Sequence, residues 1–197
     1  MTISTTAKQV LGAASLASLL SLGAMQAAQA VPVLSITASP ATAVVGSPLA
    51  LDVRITDIVD LYAFQFSLAF NPAVLQAMPA TEGPFLSAGG GTFFGGGTVD
   101  NTAGKVSFVI DSLIGPVAGV NGSGSLARIL FNVTAAGTSP LTFANVLFLN
   151  SAQNDITVQI NNRSITAVVP EPAALLLMAL GVAALVGLGS LRKREPR

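Results

Sequence analysis

The sequence predicts an all-β fold: an antiparallel two-sheet β-sandwich of jelly-roll or Greek-key type, with about eight or nine strands. Three observations predict it. Apolar and polar residues alternate with a period of two in one segment after another between Val31 and Val168. Gly, Pro and Asn clusters punctuate those segments. No stretch between them carries the 3.6-residue period of an amphipathic helix.

The strands follow in order. Val33–Ala38 is short, and Pro40 and Gly46-Ser47-Pro48 mark the loop after it. Leu49, Leu51, Val53 and Ile55 alternate with Ala50, Asp52, Arg54 and Thr56, which makes a half-buried strand. Asp57 and Asp60 flank a turn at Ile58-Val59. Tyr62, Phe64, Phe66, Leu68 and Phe70 then form an inward row, with Ala63, Gln65, Ser67 and Ala69 on the other face. Asn71-Pro72 ends the run, and Val74-Leu75 opens a short element. From Pro79 to Gly97 two glycine triplets predict a mobile surface loop, since such a run loses much entropy on ordering. Phe93-Phe94 is placed to pin that loop to the core. Further strands are expected where Val106, Phe108 and Ile110 alternate with Ser107, Val109 and Asp111, and where Ala127, Ile129, Phe131 and Val133 alternate with polar partners. Leu141–Leu149 carries an irregularity at Asn145, Ile156–Ile160 is another strand, and Ile165–Val169 closes the domain.

The flanks read as export and sorting segments. The whole chain is 51% apolar and 9% charged. That is too apolar for a disordered chain and too uncharged for a typical cytosolic one. Lys8, the apolar run Val10–Met25 and the small residues Ala28 and Ala30 form a secretory signal peptide over residues 1–30, with cleavage after Ala30. Ala173–Leu191 has no charge and is long enough to cross a bilayer as a helix. Arg192, Lys193 and Arg194 follow it and would remain cytoplasmic, leaving residues 31–168 outside.

Residue types narrow the function. Residues 31–168 contain seven acidic and four basic side chains, so no basic patch for nucleic acid exists. The chain has no His and no Cys, which removes catalytic triads, Cys–His pairs and zinc sites. Stability must come from packing, because no disulfide can form. Paired-carboxylate catalysis is poorly served: Asp57 and Asp60 read as a turn pair facing water, and Asp52 and Asp111 occupy outward positions. The glycine runs lack the Lys and the helix of a phosphate-binding loop. No calcium-loop pattern is present; isolated Asp residues leave room for a single structural calcium and nothing more, so no cofactor is expected. The three Asn-X-Ser/Thr matches, at Asn121, Asn132 and Asn162, are chance occurrences in a bacterial export context. With no Trp and one Tyr, Tyr62, which falls on the core alternation, no flat aromatic strip for sugar stacking is visible.

Two resemblances add to this reading. Val169, Pro170, Glu171 and Pro172, then the apolar span, then Arg192-Lys193-Arg194 resemble a PEP-CTERM sorting signal. The resemblance implies recognition by an exosortase, an integral-membrane transpeptidase, with a transient span and delivery to the cell surface or extracellular matrix. Residues 33–168 resemble a cohesin domain, a relative of carbohydrate-binding-module sandwiches. Three segments carry the likeness: Val45-Gly46 before the first long strand; Leu61-Tyr-Ala-Phe-Gln-Phe-Ser-Leu-Ala-Phe-Asn-Pro-Ala-Val-Leu75; and Gly124-Ser-Leu-Ala-Arg-Ile-Leu-Phe-Asn-Val133. This implies a non-enzymatic module that binds a dockerin-like protein, or a polysaccharide, across an outer sheet face at Ala63, Gln65 and Ser67 or through the glycine-rich loop Gly89–Gly97. Where dockerin binders of one type carry Asn and Asp, this chain has Ala63 and Gln65, which removes charge-assisted hydrogen bonds. A purely structural matrix protein without a specific ligand is the alternative.

Overall fold

The computed structural model describes residues 30–170 and, beyond them, Met178. Signal-peptide positions 1–29, the span 173–191 apart from Met178, and Glu171, Pro172, Arg192, Lys193 and Arg194 lie outside the described residues. Among the described residues no helix is long and apolar enough to cross a membrane.

The described chain is a two-layer β-sandwich. Its strands are β1 (Val33–Ser39), β2 (Ala43–Val44), β3 (Pro48–Ala69), β4 (Leu75–Ala77), β5 (Thr81–Glu82), β6 (Thr92–Asp100), β7 (Lys105–Leu113), β8 (Val120–Val133), β9 (Gly137–Asn150), β10 (Gln159–Ile160) and β11 (Arg163–Val168). A single helical turn, α1 (Pro84–Ser87), interrupts them.

The two strands expected at Leu49–Ile55 and Tyr62–Phe70 are one 22-residue element, β3, with two sets of neighbours. Its first half pairs with β1 and β8, and its second half with β7 and β9, all antiparallel. The change of neighbours occurs at the expected turn. Asp57 and Asp60 both adopt left-handed backbone, at φ 55° and 58°, a conformation that Asp tolerates better than most residues. One layer is therefore β10-β1-β3-β8, with β4 and β5 on the far edge of β8, and the other is β6-β7-β3-β9. β11 continues from the start of β9, and β2 lies parallel beside it.

The core between the layers follows from the alternation. Leu49, Leu51, Val53 and Ile55 from the first half of β3, and Phe64, Phe66 and Leu68 from the second, are buried. Leu126, Ile129, Phe131, Phe143, Phe148 and Ile165 face them. Phe66 stacks on Phe64 at 6.0 Å and meets Phe143 edge-on at 5.7 Å. Tyr62 is only half-buried, because the inward phase slips at the corner, and its hydroxyl donates to the Gly115 carbonyl at 2.7 Å.

Several expectations need correction. The segment 79–97 is built, not a mobile loop: it contains β5, α1 and the first part of β6. The glycines serve close packing. The Ala80 N–H donates to the Gly96 carbonyl at 2.9 Å, and a Cβ on Gly96 would stand 2.5 Å from the Ala80 oxygen. Only Gly lets those two backbones meet. Phe94 packs on the core as expected, but Phe93 is 63% exposed. Of the strand expected at Ile156–Ile160, only Gln159–Ile160 is paired, in parallel, with β1.

In β7 the inward row is Val106, then Val109, Asp111 and Leu113, and Phe108 points to solvent. The expected alternation runs out of phase from Phe108 onward, and Asp111, expected outside, is buried. A β-bulge is the cause. Phe66 pairs with Val109 and Leu68 with Val106, so Ser67 opposes two residues, and Phe108 takes φ 55°. An extra residue exchanges the faces of everything beyond it. On the other side of Ser67, the register of β9 slips as well, at Asn145 (φ 49°), the position where an irregularity was expected. Ser67 is fully buried, which corrects its expected outward placement. Its Oγ accepts from the Phe108 N–H at 3.1 Å and from Asn145 Nδ2 at 3.4 Å. One hydroxyl thus fastens two bulges, and Ser67→Ala should leave the Phe108 N–H without a partner. We expect a loss of about 1–3 kcal/mol, the usual penalty for an unsatisfied buried donor. Urea unfolding of the two proteins measures it, and equal midpoints would refute the role of the hydroxyl.

Candidate functional site

The bulges leave the outer surface of the β6-β7-β3-β9 layer flat and regular over two cross-strand rows. Phe93, Ser112, Ala63 and Leu149 form one row, and Gly95, Ile110, Gln65 and Leu147 the next. Because antiparallel partners share a face, the side chains of each row stand side by side. All of them but Gly95 line a shallow cleft of about 190 Å³. Its walls are mostly hydrocarbon, with exposed Phe93 and Leu147 at the two sides. Ala63 and Gln65 are half-buried at its centre. Gln65 Nε2 makes a long contact, 3.4 Å, with the Asn145 carbonyl. Gly95 belongs to the site for a steric reason: a Cβ there would stand 2.9 Å from Ile110 Cγ1, so its absence lets Ile110 lean across β6.

Of the three residues expected on this face, Ala63 and Gln65 lie together in the cleft, and Ser67 lies beneath the surface as the bulge fastener. Phe93, Ile110, Leu147 and Leu149 were missed. Phe93 was assigned to a loop, and Ile110 to the core because of the unseen bulge. The alternation of Leu147 and Leu149 with Phe148 was the one signal that could have found them.

The outer face of the other layer differs in chemistry. Thr37, Asp52, Arg128 and Thr81 form a polar row across it. Arg128 makes a fork with Asp52, Nε to Oδ1 at 2.8 Å and Nη2 to Oδ2 at 3.0 Å. Asp57 and Asp60 do not make a catalytic pair. Asp60 accepts from the Gly119 N–H at 2.9 Å and from the Ser151 hydroxyl at 2.7 Å, and the Asp57 N–H donates to Ser123 Oγ at 2.9 Å. Both Asp residues fasten the corner of β3. No group of three or more potential metal-ligating side chains occurs among the described residues.

Asp111 lies in the wall of the cleft and is 2% exposed, between Phe64 and Phe94 in the register. Neither carboxyl oxygen has a hydrogen-bond partner. Burial, and then the negative charge of Glu82, push its pKa up to about 7. Asp60 is shifted the opposite way, chiefly by the Ser151 hydroxyl. The two groups act in separate pH ranges. Asp60 contributes stability that is present above the ordinary carboxylate range and lost in acid. Asp111 is protonated in the folded chain and ionised in the unfolded one between about pH 4 and 7, so the folded state binds more protons there and stability falls as pH rises. We expect the protein to be less stable at pH 8 than at pH 5, and Asp111→Asn to flatten that slope. Melting temperatures at the two pH values test this, and an unchanged slope in Asp111→Asn would assign the effect elsewhere.

Comparison with known proteins places the fold. Residues 34–167 match the Cohesin domain family, and residues 168–194 match the PEP-CTERM protein-sorting motif. No curated protein matches in sequence. Among solved structures, a non-cellulosomal cohesin from the hyperthermophilic archaeon Archaeoglobus fulgidus is 18% identical, with TM-score 0.53, over 74% of this chain and 96% of that one. The second type II cohesin module from the adaptor ScaA scaffoldin of Acetivibrio cellulolyticus is 18% identical, with TM-score 0.58, over 73% and 93%. A type I cohesin–dockerin complex from Clostridium thermocellum contains a chain 11% identical, with TM-score 0.56, over 71% and 100%. The family match spans most of the described β-sandwich, from Leu34 in β1 to Ala167 in β11, and the chain belongs to the cohesin domain family.

Proposed function

We propose that this protein is an exported, non-enzymatic binding module that docks a protein partner on the β6-β7-β3-β9 face and reaches the cell surface or extracellular matrix through its sorting signal. The observation that carries the reading is the two-row apolar surface of Phe93, Ile110, Leu147 and Leu149 around Ala63 and Gln65. Small central side chains let a partner approach the sheet closely, and the apolar flanks supply area whose removal from water favours binding. Solved relatives include complexes of cohesins with dockerins. A dockerin-like partner here would be held by shape and hydrocarbon contact, since the face offers few polar groups. The sorting motif supports export and handling by an exosortase-type enzyme. Among the described residues no side-chain set favours catalysis.

The test is capture from matrix extract by the wild-type protein, by Gln65→Arg and by Thr37→Arg, which alters the opposite face. Gln65→Arg should change folding stability by no more than about 0.5 kcal/mol. It should reduce capture of the partner at least about tenfold, as burying an unpaired charge at an interface does, while Thr37→Arg leaves capture intact. Protease treatment of the extract should abolish capture. Capture that survives protease and is lost with polysaccharide digestion would point to a glycan ligand. Capture unaffected by Gln65→Arg would remove this face from the function.

A further inference from the structure

The sorting motif begins where the fold ends, with no linker between them. β11 is held on both edges at its end. Ala167 pairs with Gly137 of β9 and with Ala43 of β2, Val168 pairs with Val44, and the Val45 N–H donates to the Val168 carbonyl at 2.9 Å. Ile165 and Ala167 are buried in the core. The next residue, Val169, is exposed, and Pro170 has no N–H with which to extend the ladder. The motif match itself starts at Val168, inside the strand. Four residues, 169–172, separate the strand from the apolar run at Ala173. Even fully extended they span no more than about 14 Å.

A processing enzyme binds its substrate as extended chain, through the main-chain N–H and C=O groups of several residues. From Val168 backwards those groups are already engaged by β2 and β9. We infer that the folded end of β11 restricts access to the sorting signal, so that the β2–β11 ladder sets the rate at which the C-terminal span is cut away. This rests on the sorting reading above. In the cut, one amide C–N bond of the motif breaks. Its acyl side passes to the enzyme's nucleophile and then to water or an acceptor nucleophile, and the amine, having gained a proton, leaves with the span. The ladder takes no part in that chemistry; it governs how often the strand end opens. Terminal pairs fray at little cost, so processing is slowed and not prevented.

The experiment uses the full chain with a tag after Arg197, in a host that carries the sorting enzyme, and follows loss of the tag by pulse–chase. Three variants are compared with wild type: a six-residue Gly-Ser insertion between Val168 and Val169, which leaves the fold untouched; Val45→Pro, which removes the N–H bonded to Val168; and Glu171→Ala, which disables the motif. The insertion should speed tag loss about tenfold and Val45→Pro about fivefold, the effect of one hydrogen bond's net contribution. Glu171→Ala should stop it. If wild type loses its tag and the insertion variant does so at the same rate, the inference is overturned while the sorting reading stands. If the insertion speeds the cut and Val45→Pro, still folded by its melting curve, does not, the β2–β11 ladder is not the restraint. If wild type keeps its tag throughout, the sorting reading fails and the inference with it.

Discussion

The fold depends on β3 supplying the centre of both layers. A strand that pairs on each edge in each of two sheets must leave one sheet and enter the other without losing its hydrogen bonds. The corner at residues 57–60 does this with two left-handed Asp residues. Their groups are engaged by the segments that flank the corner: Asp60 binds Gly119 and Ser151 through its carboxylate, and its N–H donates to Asn121 Oδ1 at 2.8 Å. The chain before β8 and the chain after β9 are thereby tied to the same turn. The core then follows from two alternating runs joined by a phase slip at the corner, because the inward residues on both halves of β3 face the same interior.

The second constraint lies at Ser67. Both neighbours of the second half of β3 carry an extra residue beside this position, β7 opposite Ser67 and β9 opposite Phe66, and each would leave polar groups unpaired inside the sheet. A small hydroxyl satisfies one N–H and one side-chain amide at once. A larger side chain would not fit there, and an apolar one would leave the Phe108 N–H orphaned. The two bulges hold the remaining rows in register, and those rows make the apolar cleft. The apolar cleft is therefore a consequence of a buried polar contact two residues from Gln65.

The two outer faces divide the chemistry. One layer shows hydrocarbon with small residues at its centre, and the other shows hydroxyls and a forked Asp52–Arg128 ion pair. An exposed ion pair contributes little to stability, but a polar face discourages nonspecific contact. Asp111 beneath the apolar face is the exception to this economy. It is a buried carboxyl without a hydrogen-bond partner, held close to neutrality because ionisation there is opposed by burial and by Glu82.

By itself the sequence determined the class of fold, the inward rows of β3 and β8, the corner between Asp57 and Asp60, the irregularity at Asn145, and the presence of a sorting motif. Each was legible because the signal is local: a period of two, a turn residue, a short fixed pattern. Tertiary structure alone decided the phase of β7, the burial of Ser67 and Asp111, the pairing of the glycine-rich segment and the exposure of Phe93. From Val106 to Ile114 both phases of the alternation are largely apolar, so nothing local marks the extra residue at Phe108, and one extra residue exchanges the two faces. Gly95 to Gly97 carry no side chain that could report a strand. They are ordered by neighbours distant in sequence, the Ala80 backbone and the Ile110 side chain, which approach because no Cβ stands in the way.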